Sequence, residues 1–165
     1  MGYRNKTYVI FDGDKDMWAY GFMLGWKKNR HIDFDFHDAH DLKKILNATN
    51  EAYIKSILKQ RFANTKQAIV IVGDLTKSHH KFVRWEIEHC LSNGIPIVAA
   101  NLNKKRRIDT VLCPPIIKNT STVHVAFGAR IIKHALDNFC DNFSNYKNDS
   151  DYFYQDSVYK DLGYE

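Results

Sequence analysis

Gln67-Ala-Ile-Val-Ile-Val72 is a six-residue run with no charge and four β-branched side chains. A strand with one wet face alternates apolar and polar residues. An unbroken apolar run of this length predicts instead a strand covered on both faces, as in parallel sheets. The flanks extend the pattern. Upstream, Thr7-Tyr-Val-Ile-Phe11 is a second buried run, stopped by Asp12-Gly13-Asp14. Downstream, Ile95-Pro-Ile-Val-Ala-Ala100 is a third, with its proline near the start, and Val123-His-Val-Ala-Phe127 is a fourth. Asp33-Phe-Asp-Phe36 alternates and predicts a more exposed strand, with a polar connection over 37–49. Between these runs the period changes from two to 3.6. Helices are predicted over 17–28, from an Asn50 cap to Asn64, over 81–93 and over 129–142. Strands alternating with helices predict an α/β fold: an open, flavodoxin-like sheet of about five parallel strands with helices on both faces.

The chain has 165 residues, one domain's worth, and a formal charge of +5. That charge is mild and does not indicate nucleic acid. The 22 aromatic residues exclude a disordered chain. The longest stretch free of Lys, Arg, Asp and Glu is 15 residues, His89–Asn103, shorter than the roughly 20 that a membrane helix needs. Arg4 and Lys6 lead straight into the first strand, so neither a signal peptide nor a membrane anchor is expected, and the location expected is cytoplasmic. Cys90, Cys113 and Cys140 are dispersed and predict reduced thiols rather than disulfides or a zinc site. The body of the domain is expected over 1–142. An aromatic tail over 143–165 is expected to pack on it or on a neighbouring subunit.

Ligands of open α/β sheets sit outside the carboxyl ends of the strands. The loops there carry Asp12, Gly13, Asp14 and Asp16; His37, Asp38, His40 and Asp41; Asp74, Thr76, Ser78, His79 and His80; and Lys104-Lys-Arg-Arg107. The acids after the first strand could grip Mg²⁺ or ribose hydroxyls, or simply cap the next helix. His37, His40 and Asp41 make a weak metal trio, and His79-His80 could line a phosphate pocket. The 104–107 run reads as a solvated loop. The sharpest single candidate is Glu86 in Lys81-Phe-Val-Arg-Trp-Glu-Ile-Glu88. Its helical neighbours are Phe82, Val83 and Cys90, so desolvation should raise its pKa, while Glu88 lies about 200° away on the side expected to be wet. No GxGxxG, Walker, GxSxG or HExxH motif is present.

Tyr8-Val-Ile-Phe-Asp-Gly-Asp14, the helix Tyr53 to Phe62, Ala68-Ile-Val-Ile-Val-Gly73, and Lys81 to Glu88 running into Ile95-Pro-Ile-Val98 follow one another in a characteristic order. In that order the chain, over about residues 5–140, resembles the TIR-like domains of bacterial antiphage defence, of the ThsB type found in Thoeris systems. The ending, Tyr152-Phe-Tyr154 and Asp156 to Gly163, is similar to one subgroup of these proteins. The resemblance implies a flavodoxin-like fold and an NAD⁺ glycohydrolase or cyclase. It also implies an ADP-ribose-derived product that diffuses to an effector protein, and possible self-association. NAD⁺ enters as substrate, with no separate cofactor and no metal. The family's catalytic glutamate follows a Trp by four residues on the helix after the third apolar strand. That position is Glu86 here, with Phe82 in place of the Trp and Trp85 beside it. Asp12, Gly13, Asp14, Asp38, Asp74, Phe82 and Trp85 are the expected substrate contacts.

One carboxylate suffices for such a reaction. Nicotinamide is already a cation in NAD⁺ and leaves as a neutral base, so no general acid is needed. Two other classes fit the same architecture. A nucleoside deoxyribosyltransferase-like enzyme would exchange bases without cleaving NAD⁺. A receiver-like or scaffold module would use the carboxyl edge for protein contact, without turnover.

Overall fold

A computed structural model describes residues 6–13, 15–29, 37–38, 51–78 and 81–165. Five strands follow one another along the chain and lie parallel in one sheet: β1 (Lys6–Ile10), β2 (His37–Asp38), β3 (Gln67–Val72), β4 (Ile97–Asn101) and β5 (Thr122–Ala126). A sixth, β6 (Asp151–Phe153), completes the order β2-β1-β3-β4-β5-β6, and every pairing is parallel. The helices are α1 (Met17–Lys28), α2 (Glu51–Arg61), α3 (Lys81–Ser92), α4 (Ala129–Ala135) and α5 (Asp156–Asp161).

β3 occupies the span that its apolar run predicts, and all six of its residues are buried. Because strand side chains alternate between faces, its residues divide between two cores. Ile69 and Ile71 join Val9, Val98, Val123 and Val125 beneath α1 and α4. Ala68, Val70 and Val72 join Tyr8, Ile10, Ile97 and Ala99 beneath α3 and the segment ending in Ile117. β4 begins at Ile97 rather than Ile95: Pro96 stays outside the strand and offers its carbonyl to the Ala68 N–H at 2.9 Å. α2 stops at Arg61, three residues before the expected end, and Asn64 adopts a positive φ of 66° in the turn to β3. The expected strand over 33–36 and the Asn50 cap lie outside the described residues.

Two features depart from the sequence expectation. The helix predicted over 129–142 is α-helical only to Ala135 and continues as a π-helical turn, Leu136–Cys140. That turn presents Phe139 to Phe143, Tyr146 and Tyr152, with ring centroids 4.9–5.8 Å apart. The second departure is the tail, which adds a strand to the sheet. Beyond β6, Tyr159 is fully buried and its hydroxyl accepts the Ala126 N–H at 3.0 Å, while the Tyr164 hydroxyl accepts the Ile131 N–H at 3.2 Å. The basic run 104–107 is largely exposed, as expected, but it is also tied down by side-chain contacts. Lys104 donates to the Phe127 carbonyl, Arg106 bridges to Asp156 at 3.2 Å and stacks on Tyr159, and Arg107 stacks on Phe153.

Candidate functional site

α3 runs from the carboxyl edge of the sheet down one face and ends at Asn93-Gly94, where Gly94 takes φ 64°. Its inward stripe, Val83, Ile87 and Cys90, packs on β1, β3 and β4, and Glu86 is buried with it. Only 2% of Glu86 is exposed. Loss of hydration pushes its pKa up to about 8, although hydrogen bonding from the Tyr8 hydroxyl and the positive field of Arg61 favour the ionised form. The effect is mutual. Burial first, and then the Glu86 charge, raise the Tyr8 phenol and the Cys90 thiol above their usual ranges. Glu88 lies on the other side of the helix, 43% exposed and paired with Arg84 at 3.0 Å.

Tyr8, the residue whose hydroxyl acts on Glu86, is held in a cluster of rings. Tyr8 stacks on Phe62 at 4.0 Å, and Phe62 meets the His89 ring at 4.6 Å. Phe82 and Trp85, 5.8 Å apart edge to face, pack against Ile54, Ile57 and Leu58 of α2, with the Lys55 ammonium 4.8 Å from the Trp85 ring. Both aromatic residues thus bind α3 to α2.

The acids of the carboxyl edge form a separate group. Asp12 is fully buried and Gly13 half-buried at the end of β1, and Asp16 is 5% exposed just before α1. Burial, then the Asp12 charge, then the Asp74 charge raise the Asp16 pKa, and hydrogen bonding from Thr76 offsets part of this. The Asp16 carboxylate lies where a Cβ on Gly73 would fall, so only glycine fits there. A cleft of about 390 Å³ opens above, lined by Asp16, Asp74, Trp18 and Asn103 among others, between the ends of β1, β3 and β4. The strand order reverses between β1 and β3, which is where ligands of open sheets tend to bind.

Asp12, Gly13 and Asp74 therefore gather around Asp16. The groups that act on Glu86 are Tyr8 and Arg61, and Glu86 sits five residues into α3, about 7 Å down the helix. Asp38 lies in β2, whose backbone alone is described, and Asp14, His40, Asp41, His79 and His80 lie outside the described residues. Among the described residues no three His, Cys, Asp or Glu side chains gather as a metal site would require. Cys90, Cys113 and Cys140 are free thiols. No described helix is long and apolar enough to cross a membrane. Sequence reasoning did not single out Tyr8, Arg61 or Trp18. Tyr8 carries a local signal, a hydroxyl inside an otherwise apolar strand, whereas Arg61 reaches Glu86 only through the docking of α2.

A model of the TIR-like domain of Thoeris protein ThsB matches residues 8–107, a span that includes the last three residues of β1, the described acids of the carboxyl edge and all of α3. The chain belongs to this ThsB-type TIR-like family. No curated protein matches it. Membership carries a TIR-type defence role, and the six-stranded parallel sheet is the flavodoxin-like architecture that such a domain requires.

Proposed function

We propose that this ThsB-type domain cleaves NAD⁺, with Glu86 as its catalytic carboxylate. The observation that carries the proposal is a lone glutamate, 2% exposed, midway along the helix that follows the central strand of a TIR-like sheet. With a pKa near 8 the group is mostly protonated in the ligand-free protein at neutral pH. A substrate bearing a positive pyridinium ring reverses that balance, because an adjacent cation favours the carboxylate. Glu86 thus gives up its proton to solvent, and its negative charge forms beside the pyridinium as that positive charge arrives.

The bond from the ribose anomeric carbon to the nicotinamide nitrogen then breaks. Its electron pair goes to the ring, which leaves as neutral nicotinamide. Positive charge passes to the anomeric carbon and its ring oxygen, where the Glu86 carboxylate stabilises it. A low-dielectric surround that includes Tyr8 and Cys90 strengthens that attraction. Attack by water, with loss of a proton, gives ADP-ribose. Attack by the adenine or a ribose hydroxyl of the same molecule gives a cyclic product of lower mass by one water. Such a product is the diffusible signal to an effector that the resemblance implies. Because only 2% of Glu86 is exposed, substrate entry requires the side chains around it to shift.

A second reading draws on the same burial: a sealed Glu86 is also what a purely structural acid in a binding module would look like. Incubation of the purified protein with NAD⁺ beside Glu86→Gln, followed by mass spectrometry, separates the two. Nicotinamide release that disappears in the variant supports catalysis, and the co-product mass distinguishes hydrolysis from cyclisation. Equal release from both proteins, or none from either even in extracts of phage-infected cells, overturns the proposal.

A further inference from the structure

A cleft lies on the side of α3 away from Glu86. It measures about 590 Å³, within the range of about 300–1,000 Å³ usual for small-molecule sites. One rim carries the cations Lys77, Lys81 and Arg84, and no acid is among its lining residues. The wall is apolar: Pro115 is exposed and Ile116 half-buried, with Val83, Ile87 and Pro114 buried behind them. We propose that this groove binds a nucleotide, with the phosphate held by Lys77, Lys81 and Arg84 and the base laid along the apolar wall.

Three features of the groove support this assignment. Its charge is of one sign, so the complementary ligand is an anion. Lys77 is already held in place: its ammonium donates to the Val111 carbonyl at 2.6 Å, joining the β3–α3 loop to the loop before Pro114 across the groove. This leaves the ammonium two further donors. Lys81 is the first residue of a twelve-residue helix, so the positive end of the α3 dipole lies at the same corner. Arg84 is partly answered by Glu88, which makes the two lysines the principal anchors. A phosphate alone would leave the exposed Pro115 and half-buried Ile116 uncovered, whereas a nucleoside moiety covers them.

The groove is independent of the proposed cleavage chemistry. Arg84 and Glu86 are two residues apart, which places them about 160° apart around α3. A ligand in the groove therefore touches the reverse side of the helix that carries Glu86, where it can bias how that helix sits on β1.

Isothermal titration calorimetry with 5′-AMP tests the assignment on the full chain and on Lys81→Glu and Arg84→Glu. All of these positions are exposed, and circular dichroism checks each fold. The expected result is AMP binding that weakens tenfold or more in Lys81→Glu, weakens less in Arg84→Glu, falls steeply with added salt and is unchanged in Glu86→Gln. Adenosine and inorganic phosphate should each bind at least tenfold more weakly than AMP. The assignment fails if AMP does not bind at millimolar concentration, if Lys81→Glu retains wild-type affinity, or if adenosine or phosphate alone matches AMP. AMP binding lost in Glu86→Gln but kept in Lys81→Glu would place the nucleotide at Glu86 instead and overturn the groove.

Discussion

The two sides of α3 handle charge in opposite ways. Towards α2 and β1, a single acid that acts on Tyr8 and Cys90 has only 2% of its surface exposed. Towards the loop containing Pro114, three cations stand around an open groove. A charge in water is cheap and does little to a neighbour, whereas a charge taken out of water is costly and acts strongly on whatever enters beside it. One twelve-residue helix thus presents a surface suited to holding an anion and an interior suited to meeting a developing cation.

That contrast predicts very unequal responses to substitution. The largest belongs to Glu86→Gln, which keeps the shape of the side chain and removes its charge. NAD⁺ cleavage, followed as nicotinamide release, should fall by about 10²–10³ or more. Retention of near-normal turnover would show that the buried acid has no catalytic role. Next is Phe62→Ala. It deletes a 3% exposed ring that stacks on Tyr8, and should cost about 3–5 kcal/mol in denaturant unfolding. A cost below 1 kcal/mol would mean that this cluster of rings is not tightly packed.

The third prediction concerns pH. Glu86 has a folded value near 8 against an ordinary 4.5. Below about 4.5 both folded and unfolded chains hold its proton. Between the two values the unfolded chain ionises while the folded one stays protonated. Native stability from this group is therefore lost as pH rises through that window, by up to about 1.4 kcal/mol per unit. Glu86→Gln should flatten that slope and be more stable than the native protein at pH 8 to 9, even as it loses activity. Parallel stability profiles for the two proteins would contradict a buried, protonated Glu86. The smallest effect lies on the open side. Arg84 is 72% exposed in its pair with Glu88, so Arg84→Ala should cost less than about 0.5 kcal/mol. A loss above 1 kcal/mol would mean that the groove is part of the core.

Much of this architecture is legible in the chain because it follows from local pattern. Gln67–Val72 has no polar face to offer water, so β3 falls where the run is. The helical neighbours of Glu86 are apolar, so its burial follows from spacing. What escapes is set by contacts far apart in sequence. β6 is three residues, Asp-Tyr-Phe, too short and too polar to announce a strand, and its partner β5 supplies the reason it forms. The π turn at 136–140 answers to aromatic packing that no helical period encodes. Arg61 sits in a lysine-rich helix end that reads as solvated, and only the docking of α2 turns it towards Glu86. The acids after β1 were visible as a group, but not that Asp12 and the distant Asp74 would act together on Asp16.

The central claim, that a buried Glu86 becomes the carboxylate that meets the NAD⁺ cation, is tested most directly by the pH dependence of nicotinamide release at low substrate concentration. The rate should climb with pH, pass its midpoint near 8 as the free protein's Glu86 ionises and level off about one unit higher, and be absent at every pH in Glu86→Gln. A rate that is flat from pH 6 to 9, or that falls across that range, or a variant that traces the same curve, would contradict it.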